Sequence, residues 1–203
     1  MLVFTKKEIA IMKRLNTPAK VQDFLNKIPI NFEKDGKDSI KSPIMVLRTK
    51  NAHCIEAAML GAYILSLHGH PPLLLHLVST KDDSDHVIAP FKIKSYWGAL
   101  SKGNHVTLRY RDPVYKTIRE LVMSYFNEYY LEDGVKTMRS YSRPLNLNIF
   151  ESNWMLQSDD LWNIDQALDK IKHFAIAPQG IIRKLRKVDI IERQALDITE
   201  WKE

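Results

Sequence analysis

"NAHCIEAAMLGAYILSL", residues 51–67, is the stretch on which the reading of this chain turns. From Ile55 onward, Ala57, Ala58, Met59, Leu60, Ala62, Tyr63, Ile64, Leu65 and Leu67 place apolar side chains on every face of a helix. A helix that is apolar all round must be enclosed. The most apolar run, 57–67, falls short of the roughly 20 residues that cross a bilayer, so it predicts a core helix. Gly69 suits the left-handed position that ends a helix, and Pro71 cannot continue one. The one cysteine of the chain, Cys54, stands at the front of this helix. There the unpaired backbone N–H groups and the positive end of the helix dipole favour a thiolate. The competing reading is a small buried residue that only fills space.

Upstream, Thr5 and Glu8 have the spacing of a capping box and predict a short helix to about residue 15. Thr17 as N-cap and Pro18 at the first helical position predict a second, with Val21, Phe24, Leu25 and Ile28 on one face. The Gly, Asp, Ser, Lys and Pro content of 29–43 reads as an irregular loop. Downstream, strand-like segments at 73–79, 85–92, 95–100 and 105–110 are separated by charged or Gly-containing turns and predict an antiparallel meander. Residues 111–130 return to helical period. Asp112 is the expected N-cap, Pro113 the first position, and Val114, Ile118, Leu121, Val122, Tyr125, Phe126 and Tyr129 form the stripe.

Beyond Gly134 the character changes. An aperiodic stretch leads to an amphipathic helix with Ser158 as cap and Leu161, Ile164, Leu168 and Ile171 inward, and then to the basic "IIRKLRKVDIIERQAL". The expectation is an α+β protein with a core over 1–133 and a C-terminal helical arm, 134–203, packed on it.

Of 203 residues, 45% are hydrophobic and 27% charged, which suits a folded chain rather than a disordered one. A single cysteine excludes an internal disulfide. The N-terminal stretch lacks a secretory pattern, so a cytoplasmic location with a reduced thiol is expected. The net charge of +6 permits phosphate partners. "RKLRK", 183–187, with Trp154 or Trp162 for stacking, would carry a nucleic-acid reading. Against it, Ile181, Ile182, Leu185 and Val188 make those cations the wet face of a helix, and no Gly-rich phosphate loop is present. His68, His70 and His76 cluster in sequence, but the first two flank a helix stop and no second ligand group accompanies them. No metal is expected.

Cys54 at the start of an enclosed helix, followed by His86 at the start of a strand in "SDHVIAP", resembles the transglutaminase-like branch of the papain-like cysteine enzyme superfamily. "AHCIEAAMLGAYIL" is similar to its cysteine block and "YWGALS" to the strand that carries its third catalytic member. The resemblance covers about 17–130. It implies a papain-like core, Cys54 as nucleophile, His86 as general base, Glu56 as a structural helper, and no cofactor. Where the family commonly has Asp beyond a Trp, this chain has Ser101 after Trp97. With a turn around 92–95, His86 faces the neighbourhood of Ser101 across the strands.

The third member is therefore Asn104, by analogy with Cys-His-Asn sites, or Ser101 through its hydroxyl. Asp85, on the opposite strand face from His86, and Asp112, a helix cap, are set aside. His53, Trp97 and Ser101 are candidates to line the substrate cleft, and His53 also to tune the thiolate. The implied function is a hydrolase or acyltransferase that acts on a peptide or amide through a Cys54 thioester. The alternatives are an inactive peptide- or protein-binding relative and the nucleic-acid module.

Overall fold

A computed structural model describes residues 2–33 and 36–202. The chain begins with α1 (Lys6–Arg14), α2 (Pro18–Asn26), α3 (Pro43–Thr49) and α4 (Cys54–Ser66). It continues through β1 (Leu73–Val78), β2 (His86–Ile93), β3 (Tyr96–Leu100) and β4 (Arg111–Tyr115) to α5 (Ile118–Phe126). It ends with β5 (Ser140–Ser142), β6 (Leu145–Asn146), α6 (Trp162–Lys170), β7 (His173–Ala175), α7 (Gln179–Ile182) and α8 (Ile190–Arg193). The strands pair antiparallel in the order β4-β3-β2-β1-β5-β7, with β6 also on β1. The architecture is α+β.

The expected central helix is α4, and nearly every one of its residues is buried. It packs against α2, α3, β1 and β2. Gly61 makes this approach possible, because a Cβ there would stand 2.6 Å from Leu100 Cδ1 and 3.2 Å from Leu25 Cδ1. Alternation along the strands divides the core between the two sheet faces. Leu74, Val87, Ala89 and Phe91 join α4 and the helices around it. Leu75, Leu77, Ile88 and Ala99 join Leu121, Val122 and Tyr125 of α5.

Several expectations are corrected. The loop expected over 29–43 leads into α3, a helix the local pattern did not reveal, which Ser42 and Pro43 start as N-cap and first residue. Lys34 and Asp35 of that loop lie outside the described residues. Residues 105–110 are irregular, and the next strand is β4, which contains Asp112 and Pro113. Proline is tolerated there because β4 is an edge strand with a register shift against β3. Helix α5 consequently starts after Thr117, whose hydroxyl caps Glu120, and Val114 is exposed rather than inward.

The segment from 134 onward is more than a helical arm. It contributes β5, β6 and β7 to the sheet. Strands two or three residues long carry no readable period. Ser158 does not cap α6, which begins at Trp162, although Ile164 and Leu168 are buried as expected. The basic 183–187 stretch, expected on one helix, lies in the irregular segment between the four-residue α7 and α8, with Ile181 exposed and Val188 buried.

Candidate active site

Cys54 is the first residue of α4, half-buried, with His53 at the N-cap in extended conformation. Glu56, two residues into the first turn beyond Cys54, accepts the His53 backbone N–H at 3.0 Å, a capping arrangement that fixes the approach to the thiol. The Glu56 side chain is fully buried. It also accepts Ser39 Oγ at 2.8 Å and the Lys41 N–H at 3.0 Å, with Lys41 Nζ at 3.5 Å. A buried charge requires such partners. Glu56 thereby binds the 39–41 segment to the helix start.

His86 opens β2 and is buried. Its Nε2 lies 2.8 Å from Ser101 Oγ. The Ser101 hydroxyl also bonds the Leu108 carbonyl, which can only accept. The hydroxyl proton is thus spent on Leu108, and Ser101 must accept from the ring. Nε2 therefore carries a proton, and Nδ1 is the nitrogen left for chemistry. Gln22 of α2 clamps the serine backbone from both sides, accepting the Ser101 N–H at 3.0 Å and donating to its carbonyl at 2.8 Å.

Two imidazoles act on the thiol. Burial alone would push Cys54 up, but hydrogen bonds to His53 and His86, and the positive charge on either ring, draw it well below the usual thiol range. Burial likewise opposes a charge on His53. The Cys54 thiolate, Glu56 and the Ser39 carbonyl, 2.6 Å from Nε2, outweigh it and raise His53 to about 9. Glu33 adds a carboxylate 3.6 Å from the same nitrogen. The stable arrangement is a thiolate beside an imidazolium.

Of the other expected residues, Asn104 is committed elsewhere. Its amide donates to the Trp201 carbonyl at 3.0 Å and accepts the Trp201 N–H at 2.8 Å, so it straps the C-terminal segment down. Trp97 packs with the α5 layer and under Lys92, and it is not among the cleft-lining residues. Asp85, as expected, turns to a different partner. It accepts His76 Nε2 at 3.0 Å and the Ser79 N–H at 2.7 Å. His68 bonds the Met12 carbonyl at 3.1 Å, so the 68–76 histidines do not converge. Among the described residues no group of three or more His, Cys, Asp or Glu is placed to hold a metal ion, and no helix is long and apolar enough to cross a membrane.

Cys54 and His53 open into a cleft of about 700 Å³. Its far wall is α6, through Trp162, Asp165 and Asp169. Sequence reading did not connect these residues with Cys54. Their only local signal is a polar stripe opposite Ile164 and Leu168. Gln22, Ser39 and Lys41 were equally invisible as supports, since each acts through a contact 15 or more residues away, and Leu108 acts through its carbonyl in an irregular segment.

No protein-family model and no curated protein sequence matches the chain. The solved structure of Legionella pneumophila LapG (EGTA-treated) aligns with a TM-score of 0.45 and 13% identity, over 80% of this chain and 85% of that one.

Proposed function

We propose that the chain is a transglutaminase-like cysteine hydrolase or acyltransferase acting on a peptide or amide. One observation carries this reading: a helix-start thiol drawn well below its usual range is coupled to an imidazole whose Nε2 is tied to a buried hydroxyl. In the reaction, the Cys54 thiolate attacks the acyl carbon and a carbon–sulfur bond forms. The oxyanion is held by the Cys54 backbone N–H at the open end of α4. A proton on His86 Nδ1 passes to the leaving amine as the carbon–nitrogen bond breaks, which leaves a thioester. Water or an amine then gives its proton to Nδ1 and attacks the thioester, releasing the acid or the new amide. His53 and Ser101 are positioning residues. The first holds the thiolate by charge, and the second orients the His86 ring.

The test is iodoacetamide labelling of the native protein across pH 5–9, followed by intact mass. Labelling is expected with a midpoint well below the free thiol value of about 8.5, absent in Cys54→Ala and moved upward in His86→Ala. Labelling that requires denaturant would end the proposal. A second reading, a relative that binds peptide without turning it over, is favoured by the neutral Ser101 partner, which stabilises an imidazolium less than a carboxylate does. It predicts peptide binding that is unchanged in Cys54→Ala and no turnover by the native chain.

A further inference from the structure

The chain carries a net charge of +6, yet its cleft is acidic. Glu33, Asp38, Asp83, Asp85, Asp165 and Asp169 line it against Lys81 and the His53 imidazolium among the described residues. Some of these carboxylates have internal work. Glu33 accepts the Ser39 N–H, Asp83 accepts Thr137 Oγ1, and Asp85 holds His76. Asp165 and Asp169 do not, since no described side chain donates a hydrogen bond to either.

Two like charges four residues apart on one helix repel each other. Facing Cys54, they also oppose its thiolate. Burial and Asp169 hold Asp165 above the usual carboxylate range and the thiolate adds to that effect, against the opposing pull of His76 and His53. Neither the fold nor the activation of the thiol accounts for them. A cation in the cleft would relieve both conflicts.

Two further observations point to the same ligand. Trp162 is 41% exposed although it lines the cleft. Residues 162, 165 and 169 form one stripe of α6, opposite the buried Ile164 and Leu168. An indole face beside two carboxylates suits an alkyl stem that ends in a positive charge. His76, only 7% exposed, spends Nε2 on Asp85 and leaves Nδ1 without a hydrogen-bond partner, 3.8 Å from Asp169 Oδ1. An ammonium or guanidinium has donors enough for both carboxylates.

We infer that the acyl-donor peptide carries a lysine or arginine side chain that lies along the Trp162–Asp165–Asp169 stripe of α6. This rests on the reading of Cys54 as the nucleophile. The cation is a recognition element, separate from any amine that takes up the acyl group.

The experiment compares Cys54 modification by three methanethiosulfonates: neutral methyl, cationic trimethylammonioethyl and anionic sulfonatoethyl. The cationic-to-anionic rate ratio, divided by the same ratio for free cysteine, is expected to exceed tenfold and to fall towards one in Asp165→Asn/Asp169→Asn. Acetyl-Ala-Lys-Ala-amide is expected to slow the neutral reagent, and acetyl-Ala-Glu-Ala-amide to leave it unchanged. Brisk neutral labelling with a normalised ratio near one, or equal effects of the two peptides, overturns the inference and leaves the nucleophile standing. Protection by spermidine but by neither peptide overturns the peptide assignment. Failure of all three reagents to modify native Cys54 removes the nucleophile reading and the inference with it.

Discussion

Replacing Ser101 tests the orientation of His86 directly. Ser101 is 2% exposed and His86 6%. The hydroxyl accepts from Nε2 at 2.8 Å and donates to the Leu108 carbonyl. Ser101→Ala strands a buried ring N–H and a carbonyl, each worth about 1–3 kcal/mol when left unpaired. Leu108 is only half-buried, so water restores part of the second. The expected loss is about 2 kcal/mol, or about 30-fold in the ratio of folded to unfolded protein. Ser101→Asp accepts from the ring but sets a carboxylate against the Leu108 carbonyl, and it should be less stable than Ser101→Asn. The asparagine can accept through Oδ1 and donate through Nδ2, at about 1–3 kcal/mol for the added volume. Urea denaturation at pH 7 gives the stabilities, and iodoacetamide labelling gives the reactivity of Cys54. Two results would refute the reasoning: an alanine variant within about 0.5 kcal/mol of the parent with unchanged labelling, or an aspartate variant as stable as the asparagine one.

Glu56→Gln should lower stability by about 3 kcal/mol by thermal melting, because it opposes donors with a donor and leaves the Lys41 ammonium without its counter-charge. His53→Gln should move the pH midpoint of Cys54 labelling upward. Since His53 is raised to about 9, its contribution to stability is complete below about pH 6.5 and disappears as pH rises through about 9. The stability gap between the parent and His53→Gln should therefore close over that window, and a constant gap would contradict it. Asn104→Ala should expose 198–202 to limited proteolysis while Cys54 labelling stays unchanged, and slower labelling would return Asn104 to the site. Gly61→Ala should cost about 1–3 kcal/mol in urea denaturation, since its Cβ meets Leu100 Cδ1 at 2.6 Å.

The sequence by itself determined what depends on neighbours a few residues away. The all-round apolar pattern of 55–67 with Gly69 and Pro71 behind it specified α4, its start and its stop, and so placed Cys54 at a helix N-terminus. Short strand-like runs between charged or Gly-containing turns marked β1, β2 and β3, and the turn between the last two set Ser101 near His86. The same local logic misplaced the start of α5. Asp112 and Pro113 carry helix-start chemistry, and only their position on the sheet edge makes them strand.

Tertiary structure alone decided the rest. The direction of the Ser101 hydroxyl depends on Leu108 and the place of its backbone on Gln22, the loss of Asn104 to the C-terminal strap depends on Trp201, and the acidity of the cleft depends on α6 lying across from α4. Capping and periodicity are satisfied within one or two turns of chain, so they can be read from sequence. The Gln22–Ser101 and Asn104–Trp201 bonds and the cleft between Cys54 and α6 join residues about 80 to 115 positions apart, brought together only when α2, α6 and the C-terminal segment close on the sheet.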